Sequence, residues 1–148
     1  MNTAEKITII FAGIFFLIGL LTGVWKYQQI MRTKNARAHP YVDISHRASL
    51  LYSFAALLIL QFLKISQLPN WLELISSLSI LLFFASAILF YLLHGFLKDT
   101  TNQFKPPFNI GMFTVPMTLF KAYMISLVIV EILGFIIIFY GAVVEILK

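Results

Sequence analysis

The chain has 148 residues, of which 60% are hydrophobic and only 11% are charged, and its formal net charge is +5. A soluble domain is about half apolar and about one quarter charged, so this composition and the mean hydropathy of +0.91 predict one compact bundle in a lipid bilayer. The absence of cysteine excludes disulfides, thiolate metal sites and cysteine catalysis, and basic residues beside apolar segments favour lipid headgroups over any nucleic acid partner.

The first predicted helix covers about residues 5–28. Its apolar run at 7–25 is long enough to cross a hydrocarbon core of about 30 Å at 1.5 Å per residue. A signal peptide is the alternative, but no small-residue cleavage site follows, so we predict a retained helix. Gly13, Gly19 and Gly23 lie on or near one face, where they either permit close approach by a neighbouring helix or are ordinary membrane-helix glycines.

Between positions 26 and 38 the chain carries only basic charges, at Lys26, Arg32, Lys34 and Arg37. This excess predicts that the connection faces the cytoplasm. The second and third helices then cover about residues 39–63 and 71–96. A loop with Lys98 and Lys105 returns to the cytoplasm before a fourth helix at 117–146. We therefore predict an all-α, polytopic membrane protein: a four-transmembrane-helix bundle with both termini on the non-cytoplasmic side.

The loop before the fourth helix, at 97–116, is the longest in the chain, and its prolines and glycine exclude a helix there. It either caps a cytoplasmic cavity or is a plain solvated connection.

Polar side chains enter the second helix along one face, because seven residues advance about two full turns. They are His39, Asp43, His46 and Ser53. Arg47 lies four residues after Asp43, a spacing that permits an intrahelical ion pair. Pro40 either occupies the first turn, which makes His39 a boundary residue, or kinks a longer helix.

Other helices place polar groups at matching depths. Tyr91 and His94 reach the level of His39, so all three histidines fall in the cytoplasmic half. Glu131 lies near mid-membrane, where an unpaired carboxylate costs about 2.5 kcal/mol or more. We expect Glu131 either to pair with Arg47, the best partner by depth, or to be neutral and bonded to serines or tyrosines.

The histidines are either interfacial residues without a special role or part of a haem site, a non-haem metal site or a proton relay. The spacing of His39, Asp43 and His46 suits metal ligands on one helical face. Nucleophilic catalysis has little support, because no Gly-x-Ser-x-Gly motif occurs.

Two short motifs are informative: Ala-Arg-Ala-His at 36–39, and Phe-Tyr-Leu at 90–92 followed by Asn-Gln-Phe at 102–104. Together they resemble the styrene oxide isomerase family of small bacterial membrane proteins. The resemblance implies a homotrimer in the bacterial inner (cytoplasmic) membrane, with haem b between subunits near the cytoplasmic face. It also implies that the iron acts as a Lewis acid, opening a small apolar epoxide to an aldehyde.

Carried onto this sequence, the resemblance implies that His39 ligates the haem iron and that Tyr91 orients the substrate. The residues expected at the site are Tyr91, Ser45 and His46 for catalysis, and His39, Arg37, Asp43 and His94 for the cofactor.

Two positions depart from that family, whose asparagines are Ser45 and Ala87 here, so the fold and haem are better supported than the isomerisation. The segment 37–39 also resembles the MAPEG family, which shares the four-helix trimer and uses glutathione. That family expects Asn and Glu where this sequence has Tyr41 and Ile44. A glutathione-dependent transferase or isomerase is therefore one alternative, and a non-catalytic small membrane subunit is another.

Overall fold

The computed structural model describes residues 1–148, and four long helices make up most of it: α1 (Thr3–Arg32), α2 (Pro40–Ile65), α3 (Asn70–Leu97) and α4 (Met117–Ile146). Each helix is long and apolar enough to cross a membrane. The structure thus confirms the predicted all-helical bundle with four candidate transmembrane helices, the arrangement of a multi-pass membrane protein. The helix α1 extends past both ends of the predicted segment 5–28.

One element was not predicted. A short antiparallel hairpin, β1 (Asn109–Ile110) and β2 (Phe113–Thr114), lies in the loop between α3 and α4. Its turn contains Gly111 with φ of +61°, a conformation that side chains with a Cβ rarely adopt. A glycine between two short apolar segments is a hairpin signal, but the neighbouring prolines obscured it.

The helices α1 and α2 pack along each other, α3 packs against the other three helices, and α4 contacts only α2 and α3. The bundle has two ends. The His39 end is formed by residues 33–39 and 98–116, and the Asn2 end is formed by both termini and residues 66–69. Asn2 Nδ2 donates to Glu73 Oε2 over 2.8 Å at the Asn2 end, and the backbone N–H of Gln103 donates to Tyr41 Oη at the His39 end.

Two of the three glycines of α1 permit the predicted close approach. A Cβ at Gly19 would lie 2.6 Å from Leu50 Cδ2, and a Cβ at Gly23 would lie 2.9 Å from His46 Cε1. A Cβ at Gly13 would have nothing within 4 Å. The contact between α1 and α2 therefore depends on Gly19 and Gly23, and Gly13 fits the other alternative, an ordinary membrane-helix glycine.

Most of α4 is exposed in the single chain. Its only buried residues are Gly134, Ile138, Gly141 and Ala142. An apolar helix left uncovered around most of its circumference requires lipid or another protein chain as its surroundings.

Candidate functional site

The site begins where α2 begins. His39 is the N-cap residue: its Nδ1 accepts a 3.3 Å hydrogen bond from Tyr41 N, and Pro40 occupies the first turn. His39 N donates to Gln29 Oε1 over 2.8 Å, which ties this cap to α1. Proline is comfortable in a first turn because its missing N–H has no helical partner there. His39 is thus the boundary residue, and Pro40 does not kink the helix.

A cavity of about 760 Å³, which we call the His39 cavity, opens beside this cap, where the end of α1 and the connection 33–39 meet the end of α3. Three basic side chains line it, those of Arg32, Arg37 and Lys98. Burial, and then the positive charge of Lys98, lower the pKa of His39 below its ordinary value of 6.5. His39 therefore presents a neutral imidazole at pH 7.

The other two histidines point elsewhere. His46 Nδ1 lies 2.8 Å from the carbonyl oxygen of Gly19, inside the contact between α1 and α2. His94 is 4% exposed, and its Nδ1 lies 2.8 Å from Asp99 Oδ1. The three histidines do not converge on one cavity, because α1 covers the face of α2 that carries His46.

The metal-ligand spacing of His39, Asp43 and His46 is likewise not realised. No group of three or more His, Asp or Glu side chains lies close enough to hold a metal ion. The polar stripe of α2 faces α1 instead, and Ser53 Oγ donates to Ala12 O over 3.0 Å. Periodicity placed these side chains on one face, but it did not identify the helix that covers this face.

Asp43 is the centre of an ion cluster in that contact. Arg47 lies 2.8 Å from Asp43 Oδ2, which confirms the predicted pair, and Lys26 of α1 pairs with Oδ1. The expected pair between Arg47 and Glu131 was wrong, because Asp43 is the closer partner. Glu131 makes no hydrogen bond to serine or tyrosine either, and its Oε1 is buried without a partner.

We expect Asp43→Asn to lower the free energy of unfolding by about 1–2 kcal/mol. The substitution removes the negative charge that Lys26 and Arg47 share, so the two cations repel each other without compensation. Thermal unfolding followed by far-ultraviolet circular dichroism in detergent measures the change. The matched control is Glu145→Gln, which breaks an exposed pair with Lys148 and should cost less than about 0.5 kcal/mol. Equal losses in the two variants would contradict the role of the cluster.

The burial of Glu73, which is 1% exposed, was not predicted from the sequence. Its Oε2 is bonded to Asn2, but its Oε1 has no partner. A glutamate in the first turn of a helix is usually exposed, so nothing in the local pattern indicated that α1 covers it.

Tyr91 lies in an aromatic group at the His39 end. The rings of Tyr41 and Tyr91 stack with centroids 6.2 Å apart, and the ring of His94 lies 5.0 Å from that of Tyr41. The ring centroid of His39 lies 6.2 Å from that of Tyr41. Tyr41 thus links His39 to both Tyr91 and His94, a role that sequence reasoning did not assign to it.

Ser45 and His46 are not brought to Tyr91. Ser45 is fully buried, and its Oγ donates to Val42 O over 3.0 Å within α2. Ala87, at the other position where the resemblance expects an asparagine, is 5% exposed. The structure therefore brings together His39, Tyr91 and His94 around Tyr41, and it leaves Ser45 and His46 in helix contacts.

A second cavity, which we call the His94 cavity, has a volume of about 330 Å³ and lies between α3, the hairpin and the start of α4. The loop before α4 covers this cavity, which agrees with the predicted alternative in which the loop caps a cavity. Asp99 holds this loop, because its Oδ2 accepts a 2.6 Å hydrogen bond from Gly111 N while its Oδ1 meets His94 Nδ1. Burial alone raises the pKa of Asp99, but the hydrogen bonds with Gly111 and His94 outweigh it and hold the pKa below its usual value.

Four apolar helices, each long enough to span a bilayer, define the class of a candidate multi-pass membrane protein, and two cavities lie at one end of this bundle. Comparisons of the chain with protein-family models, with curated proteins and with solved structures gave no match. The interpretation of the site therefore depends on its own residues and on the short motifs at its edges.

Proposed function

We propose that the chain is a multi-pass protein of a bacterial inner membrane and that it binds haem b through His39, near the cytoplasmic face. The loops of the His39 end support this orientation, because their basic side chains outnumber the single acidic one. The basic residues are Lys34, Arg37, Lys98 and Lys105. The loop at 66–69 carries no charge, so the positive-inside rule puts the Asn2 end and both termini outside.

The observation that carries the proposal is the environment of His39. A haem iron takes a neutral imidazole, and haem propionates are anions that need cationic partners. His39 supplies the neutral imidazole, and Arg32 and Arg37 in the same cavity supply the cations. His46 and His94 do not line this cavity.

The residues fit the cofactor with one adjustment. The hydrogen bond from Tyr41 N to His39 Nδ1 places the proton of a neutral ring on Nε2, where an iron ligand needs a lone pair. Coordination through Nε2 therefore requires this cap bond to be given up. At 3.3 Å the bond is longer than a typical N–H···N or N–H···O bond, so its loss costs little.

The proposed assembly is a homotrimer in which neighbouring copies enclose the cofactor. The exposed apolar surface of α4 supports this, because it offers a second chain a broad contact within the bilayer. In one copy the His39 cavity is open, so a neighbouring copy would supply the rest of its wall.

The proposed reaction class is isomerisation of a small apolar epoxide-like substrate. Bound ferric haem supplies a Lewis acid. Tyr91 supplies a hydroxyl whose ring position is fixed by stacking on Tyr41, which suits a group that orients a substrate. Ser45 and His46 have no role in the proposed reaction, because both bond to backbone carbonyls inside helix contacts.

Absorbance of the detergent-purified protein after expression with ample haem tests the proposal. We expect a Soret band in the wild-type protein and at least a tenfold lower haem content in His39→Ala. The matched control is His46→Gln, which should keep the band, because His46 lies between α1 and α2. A wild-type preparation without a Soret band would end the haem proposal.

Glutathione is the second candidate ligand, because the basic lining of the His39 cavity also suits the two carboxylates of this peptide. Calorimetric titration distinguishes the two: heat on addition of glutathione to a protein without a Soret band favours the MAPEG-like function. A chain that binds neither ligand and co-purifies with a larger complex is a non-catalytic subunit.

A further inference from the structure

The His94 cavity is walled mostly by aromatic and aliphatic side chains. They include Phe90 of α3, Phe108 and Ile110 of the loop, and Phe120 and Met124 of α4. The rings of Phe108 and Phe120 stack with centroids 4.2 Å apart and an interplanar angle of 8°, so the loop and α4 meet through aromatic rings at the cavity. The loop and α4 thus form an aromatic-lined cavity suited to an apolar aromatic molecule.

The volume of the His94 cavity indicates the size of the molecule that fits. An engineered protein cavity of about 150 Å³ holds benzene, so a cavity of about 330 Å³ has room for two fused rings.

Two of the four polar side chains that line the cavity already have partners. Tyr123 Oη is bonded to Ser86 Oγ over 2.7 Å, and Asn109 Oδ1 accepts from Thr114 Oγ1. The other two are Gln103, whose side chain makes no hydrogen bond, and the buried His94. Asp99 occupies Nδ1 of His94, and its Nε2 has no hydrogen-bond partner. When Asp99 accepts the Nδ1 proton of the neutral ring, Nε2 carries a lone pair and accepts a hydrogen bond.

We propose that the His94 cavity is a second ligand site, which binds a hydroxylated aromatic molecule of one or two rings. The rings lie among the apolar side chains, and the hydroxyl donates its hydrogen bond to His94 Nε2. Asp99 is a positioning residue, since it orients His94 and holds the hairpin over the ligand. This site lies against α4 and shares neither His39 nor the basic side chains of the His39 cavity.

Fluorescence titration of the protein in phosphatidylcholine nanodiscs tests the proposal, with 2-naphthol and 2-methylnaphthalene as probes. The probes have nearly the same shape, and empty nanodiscs correct for partition into lipid. We expect about tenfold tighter binding of 2-naphthol, the effect of one hydrogen bond in an apolar site. The variant His94→Phe should lose this preference while still binding both probes.

A pair of neighbouring substitutions on α4 separates cavity binding from loss of structure. Met124→Trp fills the cavity and should abolish saturable binding of both probes. Ile125→Trp adds the same side chain at a position that is 59% exposed, and it should bind 2-naphthol as the wild type does. A wild type with no preference for 2-naphthol, or Met124→Trp binding it as tightly as Ile125→Trp, would overturn the proposal.

Discussion

Replacement of Gly134 by leucine is expected to lower the free energy of unfolding by about 2–3 kcal/mol, the cost of overpacking a tight contact. A Cβ at Gly134 would lie 2.9 Å from Ile80 Cγ1 and 3.1 Å from the carbonyl oxygen of Ser76. The carbonyl belongs to the backbone of α3 and cannot rotate away as a side-chain end does. The helix α4 must therefore move outward, and the buried contacts of Ile138 are lost with it.

Gly13→Leu is the matched control, because a Cβ there has nothing within 4 Å and the residue lies on an exposed part of α1. We expect a change within about 0.5 kcal/mol, or a small gain, since glycine is a poor helix former. Unfolding by sodium dodecyl sulfate, followed by circular dichroism, measures both variants. Similar losses at positions 13 and 134 would show that glycine itself, and not the contact between α3 and α4, sets the stability.

Asp99→Asn should release the hairpin from α3 and cost about 2–3 kcal/mol. The carboxylate is 10% exposed and meets two groups, His94 Nδ1 and Gly111 N, and hydrogen bonds to a charged acceptor are stronger than those to a neutral one. An asparagine has one carbonyl oxygen and can replace only one of these contacts. We expect faster chymotrypsin cleavage after Phe104 and Phe113, which are 56% and 77% exposed on the loop.

The contribution of Asp99 should also depend on pH. Its pKa is lowered in the folded protein relative to an ordinary value near 4, so the folded state favours the charged carboxylate. The stabilisation is therefore fully present above about pH 4 and is lost as the pH falls through the lower folded value. Wild type should approach Asp99→Asn in cleavage rate at low pH, as measured with an acid-active protease such as pepsin.

Asn102→Ala is the control for this loop. Asn102 is exposed, and its side chain bonds only to local backbone, accepting from Phe104 N over 3.0 Å. Its loss should change cleavage by less than about twofold. If Asp99→Asn is cleaved as slowly as the wild type at pH 7, Asp99 is not the group that holds the hairpin.

The positions of the four helices followed from local properties of the sequence. Apolar runs of sufficient length, Pro40 before the second helix and the Pro106-Pro107 pair before the fourth each act within a few residues. The spacing of Asp43 and Arg47 predicted their ion pair for the same reason, since one helical turn brings them together.

Partners from other helices were not predictable in this way. Depth suggested that Arg47 meets Glu131, but depth fixes only one coordinate of a side chain in a bundle. Rotation of each helix about its axis decided the outcome: Asp43 meets Lys26 of α1, and Glu131 Oε1 has no partner. The same rotation turned His46 toward Gly19 and separated it from Tyr91.

By itself, the sequence determined a four-helix bundle and the end of it that carries the histidines. Only the tertiary structure decided that His39 is the boundary residue and alone among the histidines lines the larger cavity. It also decided that His94 lines a separate cavity and bonds to Asp99, which contacts the hairpin. The physical reason is that hydrophobic periodicity reports which face of a helix is polar. Which helix or loop covers that face depends on contacts between residues far apart in the chain.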